Sequence, residues 1–448
     1  MRKLLAVEEI EHDLRLRVLL GSLIFYFHVS FRLWGDSHFM TLSSAGRTLF
    51  ASVPWWFIDP PFFWNFSPEF TRGLFHACDI LAMLGFVWCF YECLGPLLLL
   101  AGLFVVKFLF YISDFMLLAN YDHMHLFFVL LFLVSRSRLF FMRAGLGVWY
   151  ILSGLVKLTP SWLQGEYFNS IPGKFPLIPK DDWVVTVMCQ AVILMELVGP
   201  LCWFSRWKWL RWFSMGSFVM FHLYSGVVVG FRYPNLMLPV VLCLFWRADK
   251  PFTEGFRCTL RDLPSYLLLA LALWGGTVSW WIPGDARLTG EGRYFGAFMY
   301  DAERRVLFEA ELTKGDERVV INVERSFQEP INFGTFVWKT KCTGRIYRNG
   351  QLESEQRLAG PFLVGGVPIF NALPFLKSNA RQIGDPYLYY RWAKQVCGVY
   401  FPDRLKMTLY QQLDGHQERH LVLDIEDFEA LNPSYSALRH NDWIRLDD

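Results

Sequence analysis

Nine apolar segments, near residues 18–34, 73–93, 95–118, 122–135, 139–158, 183–204, 212–230, 235–246 and 264–282, leave this chain little choice of environment. A run of about 20 apolar residues is the length of helix that crosses the hydrocarbon of a bilayer, where a helix satisfies its own backbone polar groups. The 448 residues are 54% hydrophobic and 18% aromatic with positive mean hydropathy, too apolar for a soluble protein of this size. The expected fold is a polytopic all-α membrane bundle of about nine transmembrane helices. Segments 122–135 and 235–246 are short for an upright crossing, so each is broken, re-entrant or extended by its polar flanks.

Charge orients the bundle, because basic residues accumulate on the side that is not translocated. Nine crossings with the N-terminus in the cytoplasm put Arg2, Lys3, Arg15 and Arg17 on one side. The same side receives Arg136, Arg138 and Arg143, then Arg206, Lys208 and Arg211, then Arg247, Lys250, Arg257 and Arg261. The loops on the other side receive scattered basic residues only, Arg47, Arg72, Lys174, Lys180 and Arg232. Without either short crossing the clusters would alternate sides, so the pattern favours nine. The tail is then extracytoplasmic, outside a bacterial inner membrane or in the lumen of the endoplasmic reticulum. Met1 to Arg17 is too charged, and lacks the small-residue cleavage site, for a removed signal peptide. A net charge of +2 without a basic block suggests no nucleic-acid partner.

Composition changes at Gly284, which divides the chain into a transmembrane domain, 1–283, and an extracytoplasmic β-rich α+β domain, 284–448. Strand-like alternation occurs at 305–312, 318–323, 333–338, 406–410 and 420–424, and Asp385 to Val399 reads as a helix with Leu388, Tyr389, Trp392 and Val396 on one face. Between the first two apolar segments, Pro54 to Trp64 is an aromatic, proline-rich stretch, read as an interfacial belt or a substrate grip, followed by a glycosylation sequon at Asn65-Phe-Ser67. Six of the nine cysteines lie in apolar segments, where they read as small core residues, and only Cys342 and Cys397 lie in the tail.

Ionisable residues gather in the outer leaflet. His76 and Asp79, Asp114, His123 and His125, and Lys157 all lie at outer span ends, a bias that suggests a polar cavity opening outward. His76 with Asp79, and Lys107 with Tyr111 and Asp114, are spaced to pair within their own helices. Glu196 and His222 sit near mid-depth, where an unpaired charge is costly, so each needs a partner or is neutral. Counting back from Lys157 by threes and fours gives Gly154, Ser153, Tyr150, Gly147 and Arg143, a small polar face suited to a bundle interior. Thr159-Pro160-Ser161 ends this helix and Trp162 follows at the interface. Lys157 has two readings: an ammonium reaching the headgroups on its four-carbon stem, or an amine in a desolvated pocket that favours the neutral, proton-accepting form. His123 is likewise either an interfacial histidine or a site residue. No metal site is expected: His123 and His125 point apart on a helix, and His416-Gln-Glu-Arg-His420 departs from the His-Glu-x-x-His spacing.

The run Gly154-Leu-Val-Lys-Leu-Thr-Pro-Ser-Trp-Leu-Gln-Gly165 resembles the lysine-bearing segment of the vitamin K-dependent gamma-carboxylases and of the wider HTTM membrane family. Asp122-His-Met-His-Leu-Phe-Phe-Val-Leu-Leu131, Phe221-His-Leu-Tyr-Ser225 and Tyr233-Pro-Asn-Leu-Met-Leu238 follow the family in the same order, so the resemblance covers roughly residues 15 to 280.

The resemblance implies a reduced vitamin K or related quinol as substrate, with oxygen and carbon dioxide as co-substrates. In the family a neutral lysine amine deprotonates the quinol, which leaves as an epoxide while a peptide glutamate loses its γ-proton and captures carbon dioxide. Lys157 falls on the catalytic lysine and His123 on a histidine that supports the quinol or its anion. His222 falls on the later Phe-His pair, and Tyr150, His76, Asp79 and Trp162 complete the expected substrate-binding or supporting set. Implied partners are the bilayer, the quinone and a protein or peptide substrate on the outer side. The chain departs from the pattern at Val156, where a second lysine is frequent, and at Asp122, where asparagine is usual. Its tail is also much shorter than the substrate-gripping region of animal carboxylases, which permits quinol oxidation without glutamate carboxylation. The competing reading is a non-catalytic bundle that binds lipid or quinone and presents the outer domain to a partner protein. Transport is a third.

Overall fold

The computed structural model describes residues 6–37, 68–113, 120–169, 181–229, 233–245, 259–293, 296, 304–328, 337–372, 383–414 and 416–446. A helix lies in each of the apolar segments: α1 Leu14–Ser37, α2 Pro68–Trp88, α3 Leu94–Ser113, α4 Asn120–Val134, α5 Arg138–Val156, α6 Asp182–Cys202, α7 Lys208–Val229, α8 Pro234–Phe245 and α9 Leu263–Thr277. Among the described residues, six stretches are long and apolar enough to cross a membrane, those at 14–34, 69–88, 94–112, 138–156, 182–202 and 260–280. Helices α4, with 15 residues, and α8, with 12, are apolar but shorter. The first turn of α4 takes in Asn120 to His123, so this helix is lengthened by its polar flank.

The outer faces of the helices are as apolar as their contacts. Ile80 and Leu84 on α2, Leu194 and Leu201 on α6, Phe213 and Met220 on α7, and Leu267 and Leu271 on α9 are all exposed. A water-soluble surface does not carry apolar area on this scale. Inside, α1 packs along α2 and α8, while α5 packs against α6 and α9. Close approach of α5 to α6 depends on Gly154, where a Cβ would stand 2.9 Å from Leu197 Cδ2 and 3.1 Å from Glu196 Cβ. Helix α5 ends at Val156 with Lys157 as its C-cap, and Thr159 accepts from the Trp162 amide to start the short helix Pro160–Leu163.

Beyond α9, a six-stranded antiparallel sheet has the order β4-β3-β2-β1-β7-β8, from β1 Arg304–Lys314, β2 Glu317–Gln328, β3 Val337–Arg348, β4 Gln351–Arg357, β7 Arg404–Leu413 and β8 His420–Ile425. β5 Pro361–Val364 and β6 Val367–Asn371 form a separate hairpin. The alternating sequence puts Val306, Phe308, Ala310 and Leu312 on the buried face of β1. β3 turns into β4 through Asn349-Gly350, both with positive φ, the residue pair that a two-residue hairpin turn favours. On the buried face lies α10 Pro386–Tyr400, capped by Asp385, whose carboxylate accepts from the Tyr387 amide at 2.9 Å. Its predicted inner face is the observed one: Leu388, Tyr389, Trp392 and Val396 are buried, Tyr389 stacks on Phe308, and the Trp392 indole donates to Ile369 O.

Some expectations from sequence are corrected. The strand read at 333–338 is observed as β3 Val337–Arg348, and β4, β5 and β6 were not anticipated: β4 is exposed on both faces, and β5 and β6 are only four and five residues long. Cys342 and Cys397 are both free. The stretch from Pro54 to Trp64 and the Asn65 sequon lie outside the described residues, as does Asp114.

Candidate functional site

Two buried ionic centres form inside the bundle, each from a lysine and a carboxylate on different helices. In the first, Lys157 Nζ donates to Glu196 Oε2 at 2.6 Å and to Ser153 Oγ at 2.6 Å, with Ser153 O at 3.2 Å. Ser153 Oγ in turn donates to Glu196 Oε1 at 3.2 Å, which closes a ring of three side chains. Lys157 and Glu196 are each only 2% exposed, so this lysine does not extend to the headgroups as the snorkelling reading required. The Trp162 ring lies 5.4 Å from Nζ and is stacked on Tyr167. Trp162 is thus packed inside the protein, over the ammonium, rather than set out at an interface.

One turn before Ser153 on the same face, Tyr150 OH meets His222 Nε2 of α7 at 2.6 Å, and either group can be the donor. Both are buried, and Tyr233 at the start of α8 faces the same histidine with ring centroids 5.3 Å apart. Lys157, Tyr150, His222 and Trp162 are therefore gathered around one stretch of α5. Glu196 was legible only as a buried charge needing a partner, and that partner is Lys157.

In the second centre, Lys107 Nζ contacts Asp122 Oδ1 at 2.6 Å, Ser30 Oγ at 2.7 Å and His125 Nδ1 at 3.0 Å. These three acceptors match the three hydrogens of an ammonium. His125 Nε2 is 2.9 Å from Leu23 O and must donate to it, which leaves Nδ1 free to accept from Lys107. Lys107 is thus paired across helices, while Asp114, read as a partner along its own helix, lies outside the described residues. His123, on the adjoining face of α4, contacts Tyr111 OH through Nδ1 at 3.2 Å and packs edge-on to Trp149. Its contacts belong to the α3–α5 side and not to the Lys157 ring.

His76 and Asp79 do not pair with each other. His76 is exposed, while the Asp79 carboxylate meets His28 Nδ1 of α1 in a short hydrogen-bonded contact. The reason is geometric: three residues along a helix point about 60° apart, and the α1–α2 contact captures only the inward one. Among the described residues, no three His, Cys, Asp or Glu side chains come together to hold a metal ion.

Buried polar atoms without a hydrogen-bond partner mark where a ligand would be accommodated. Among the described residues these include His222 Nδ1, Trp149 Nε1 and Ser161 Oγ. His222 and Ser161 adjoin the Lys157 ring through Tyr150 and Trp162, and Trp149 faces His123. The sheet domain stands at this end of α5: His416, between β7 and β8, approaches Glu166 at 3.3 Å in the short helix Glu166–Asn169.

The fold and these centres define a helical bundle with six membrane-length apolar stretches among the described residues and an appended antiparallel sheet. Comparison with protein-family models, with curated proteins and with solved structures finds no match to the chain.

Proposed function

We propose that this is a multi-pass membrane enzyme of the vitamin K-dependent gamma-carboxylase type, in which Lys157 takes a proton from a reduced naphthoquinone. The observation that carries the reading is the Lys157 amine held in the bundle interior against Glu196 at 2.6 Å. A lysine fixed this way is withdrawn from water and placed to exchange a proton with a ligand beside it. His222 Nδ1 and Ser161 Oγ are buried without a hydrogen-bond partner, and each could serve a hydroxyl of such a ligand. When bound and deprotonated, a reduced naphthoquinone reacts with oxygen and leaves as an epoxide, supplying a base strong enough to remove a glutamate γ-proton. His123, held by Tyr111 and Trp149, takes the supporting role on the other side of α5.

The membrane placement rests on the exposed aromatic rings as well as the apolar spans. Trp88, Tyr91, Trp183, Trp207, Trp209, Trp280 and Trp281 are exposed at or near helix ends, which mark two levels along the bundle. A helix of 20 residues separates such levels by about 30 Å, the thickness of the hydrocarbon layer. With nine crossings the sheet domain is extracytoplasmic, where it would meet a protein or peptide substrate.

Epoxide formation from reduced vitamin K by the purified protein tests the reading. Activity lost in Lys157→Ala supports it, and wild-type activity no higher than that of Lys157→Ala rejects it. Adding a glutamate peptide and labelled carbon dioxide then separates carboxylation from quinol oxidation alone. A second reading, a non-catalytic lipid- or quinone-binding scaffold that presents the sheet domain to a partner protein, is favoured by one observation. Every hydrogen of the Lys157 ammonium already has an acceptor. Quinone binding unchanged in Lys157→Ala, with turnover in neither protein, selects it.

A further inference from the structure

The Lys157 ring raises a question that the lysine alone does not answer. A base must be free of its own proton before it can take another, yet Lys157 lies against a carboxylate and two further acceptors, an arrangement suited to an ammonium. Bulk water is a poor destination for that proton, because the pair is 2% exposed on both sides.

We infer that Glu196 receives the Lys157 proton and holds it while the amine acts, so that the working base is the Lys157–Glu196 pair bridged by Ser153. The inference rests on the function proposed above and names a residue that acts through Lys157. The proton moves along the 2.6 Å contact from Nζ to Oε2, converting ammonium and carboxylate to amine and carboxylic acid. No net charge is created in the interior by this step, which is why it is accessible where a lone charge costs several kcal/mol. The amine lone pair then takes the proton of a quinol O–H. The products are a Lys157 ammonium, a neutral Glu196 carboxylic acid and the quinol anion, so the bound ligand and Lys157 carry the two opposite charges. Ser153 Oγ touches both partners, at 2.6 Å and 3.2 Å, and keeps their oxygen and nitrogen in line as the proton changes sides. Gly154 allows the approach, since a side chain there would press on Glu196 Cβ.

Other titratable groups facing the pair are Tyr150 on α5, its partner His222 on α7, and Tyr233 at the start of α8. Among the described residues, no carboxylate besides Glu196 is hydrogen-bonded to Lys157.

Infrared difference spectra of the purified full chain, recorded on adding reduced naphthoquinone, read the carboxyl directly and do not depend on turnover. The expected result is a protonated-carboxyl C=O stretch that shifts in deuterium oxide, is absent from Glu196→Gln, and moves in frequency in Glu196→Asp. Either variant suffices if the other does not fold. The same preparations give the pH dependence of epoxide formation: flat near neutrality in the wild type, and proton-dependent in Glu196→Gln, where the amine exchanges its proton with water. A wild type without the band, or an unchanged band in both variants, overturns the inference. Epoxide formation with no band removes the role of Glu196 and leaves the proposed function standing. A band without epoxide formation removes the epoxidation and leaves Glu196 as the proton holder.

Discussion

Lys107 Nζ and Asp122 Oδ1 meet at 2.6 Å with relative exposures of 0% and 1%, joining two successive helices by a wholly buried ion pair. Lys107 supplies the counter-charge that makes a buried aspartate tolerable at position 122. Ser30 and His125 complete the ammonium's partners and tie α1 to the same centre. Buried pairs of this kind are costly to break from one side and far less costly to replace whole.

Asp122→Asn alone is therefore expected to destabilise the protein by about 3–5 kcal/mol, because it leaves the Lys107 ammonium buried without its counter-charge. Lys107→Met/Asp122→Asn recovers most of that loss. Denaturant or thermal unfolding of the detergent-purified single and double variants measures the coupling. Equal stability of the single variant and the wild type would mean that the pair is not charged.

At Gly154, alanine adds a methyl group 2.9 Å from Leu197 Cγ and 3.1 Å from Glu196 Cβ. The leucine tip can rotate away, but the glutamate Cβ is fixed to its helix, so α5 and α6 must separate. We expect Gly154→Ala to cost about 1–3 kcal/mol, and Gly154→Val more. Unfolding of the detergent-purified variants reads the cost.

Tyr150→Phe removes the hydroxyl that meets His222 at 2.6 Å. His222 Nδ1 is already without a partner, so the substitution leaves the whole imidazole unsatisfied in the interior. A cost of about 1–3 kcal/mol follows from the desolvation of an unpaired polar group. His222→Leu in the Tyr150→Phe background is expected to regain part of it, read from the same unfolding measurement.

Asp285 sits just past the helical bundle, with Arg287 donating to its carboxylate at 2.6 Å. Burial pushes this carboxyl up, but the hydrogen bonds and charge of Arg287, with Arg293 behind, outweigh that effect and hold it below the usual 3.8. A carboxylate depressed in the folded state stabilises the fold above the ordinary value and loses that contribution as pH falls through its lower native value. Acid unfolding below about pH 3.8 should accordingly be shallower in Asp285→Asn than in the wild type. Unfolding midpoints measured across the acid range in both proteins make the comparison.

The sheet domain shows where sequence patterning suffices and where it stops. Alternation placed β1, β2, β7 and β8 and the inner face of α10, because a half-buried strand or helix writes its burial into its own residue order. The edge strand β4 has both faces in water, so its order carries no such mark. In the bundle, the spacing His76–Asp79 suggested a pair along one helix, and the alternative partner His28 lies too far away in sequence for any local pattern to reveal.

By itself the sequence determined that this chain forms apolar helices and a separate sheet, that Lys157 lies on a small polar face, and that Glu196 and His222 need partners. These are consequences of local composition and period, which act through the nearest few residues. Only the tertiary structure decided that Glu196 answers Lys157, that Asp122 answers Lys107, that Tyr150 answers His222, and that Trp162 folds inward over the ammonium. The reason is that an ion pair is selected by which helices touch and at what depth. Helix contact in turn depends on small residues such as Gly154, whose effect appears only when the facing surface is in place.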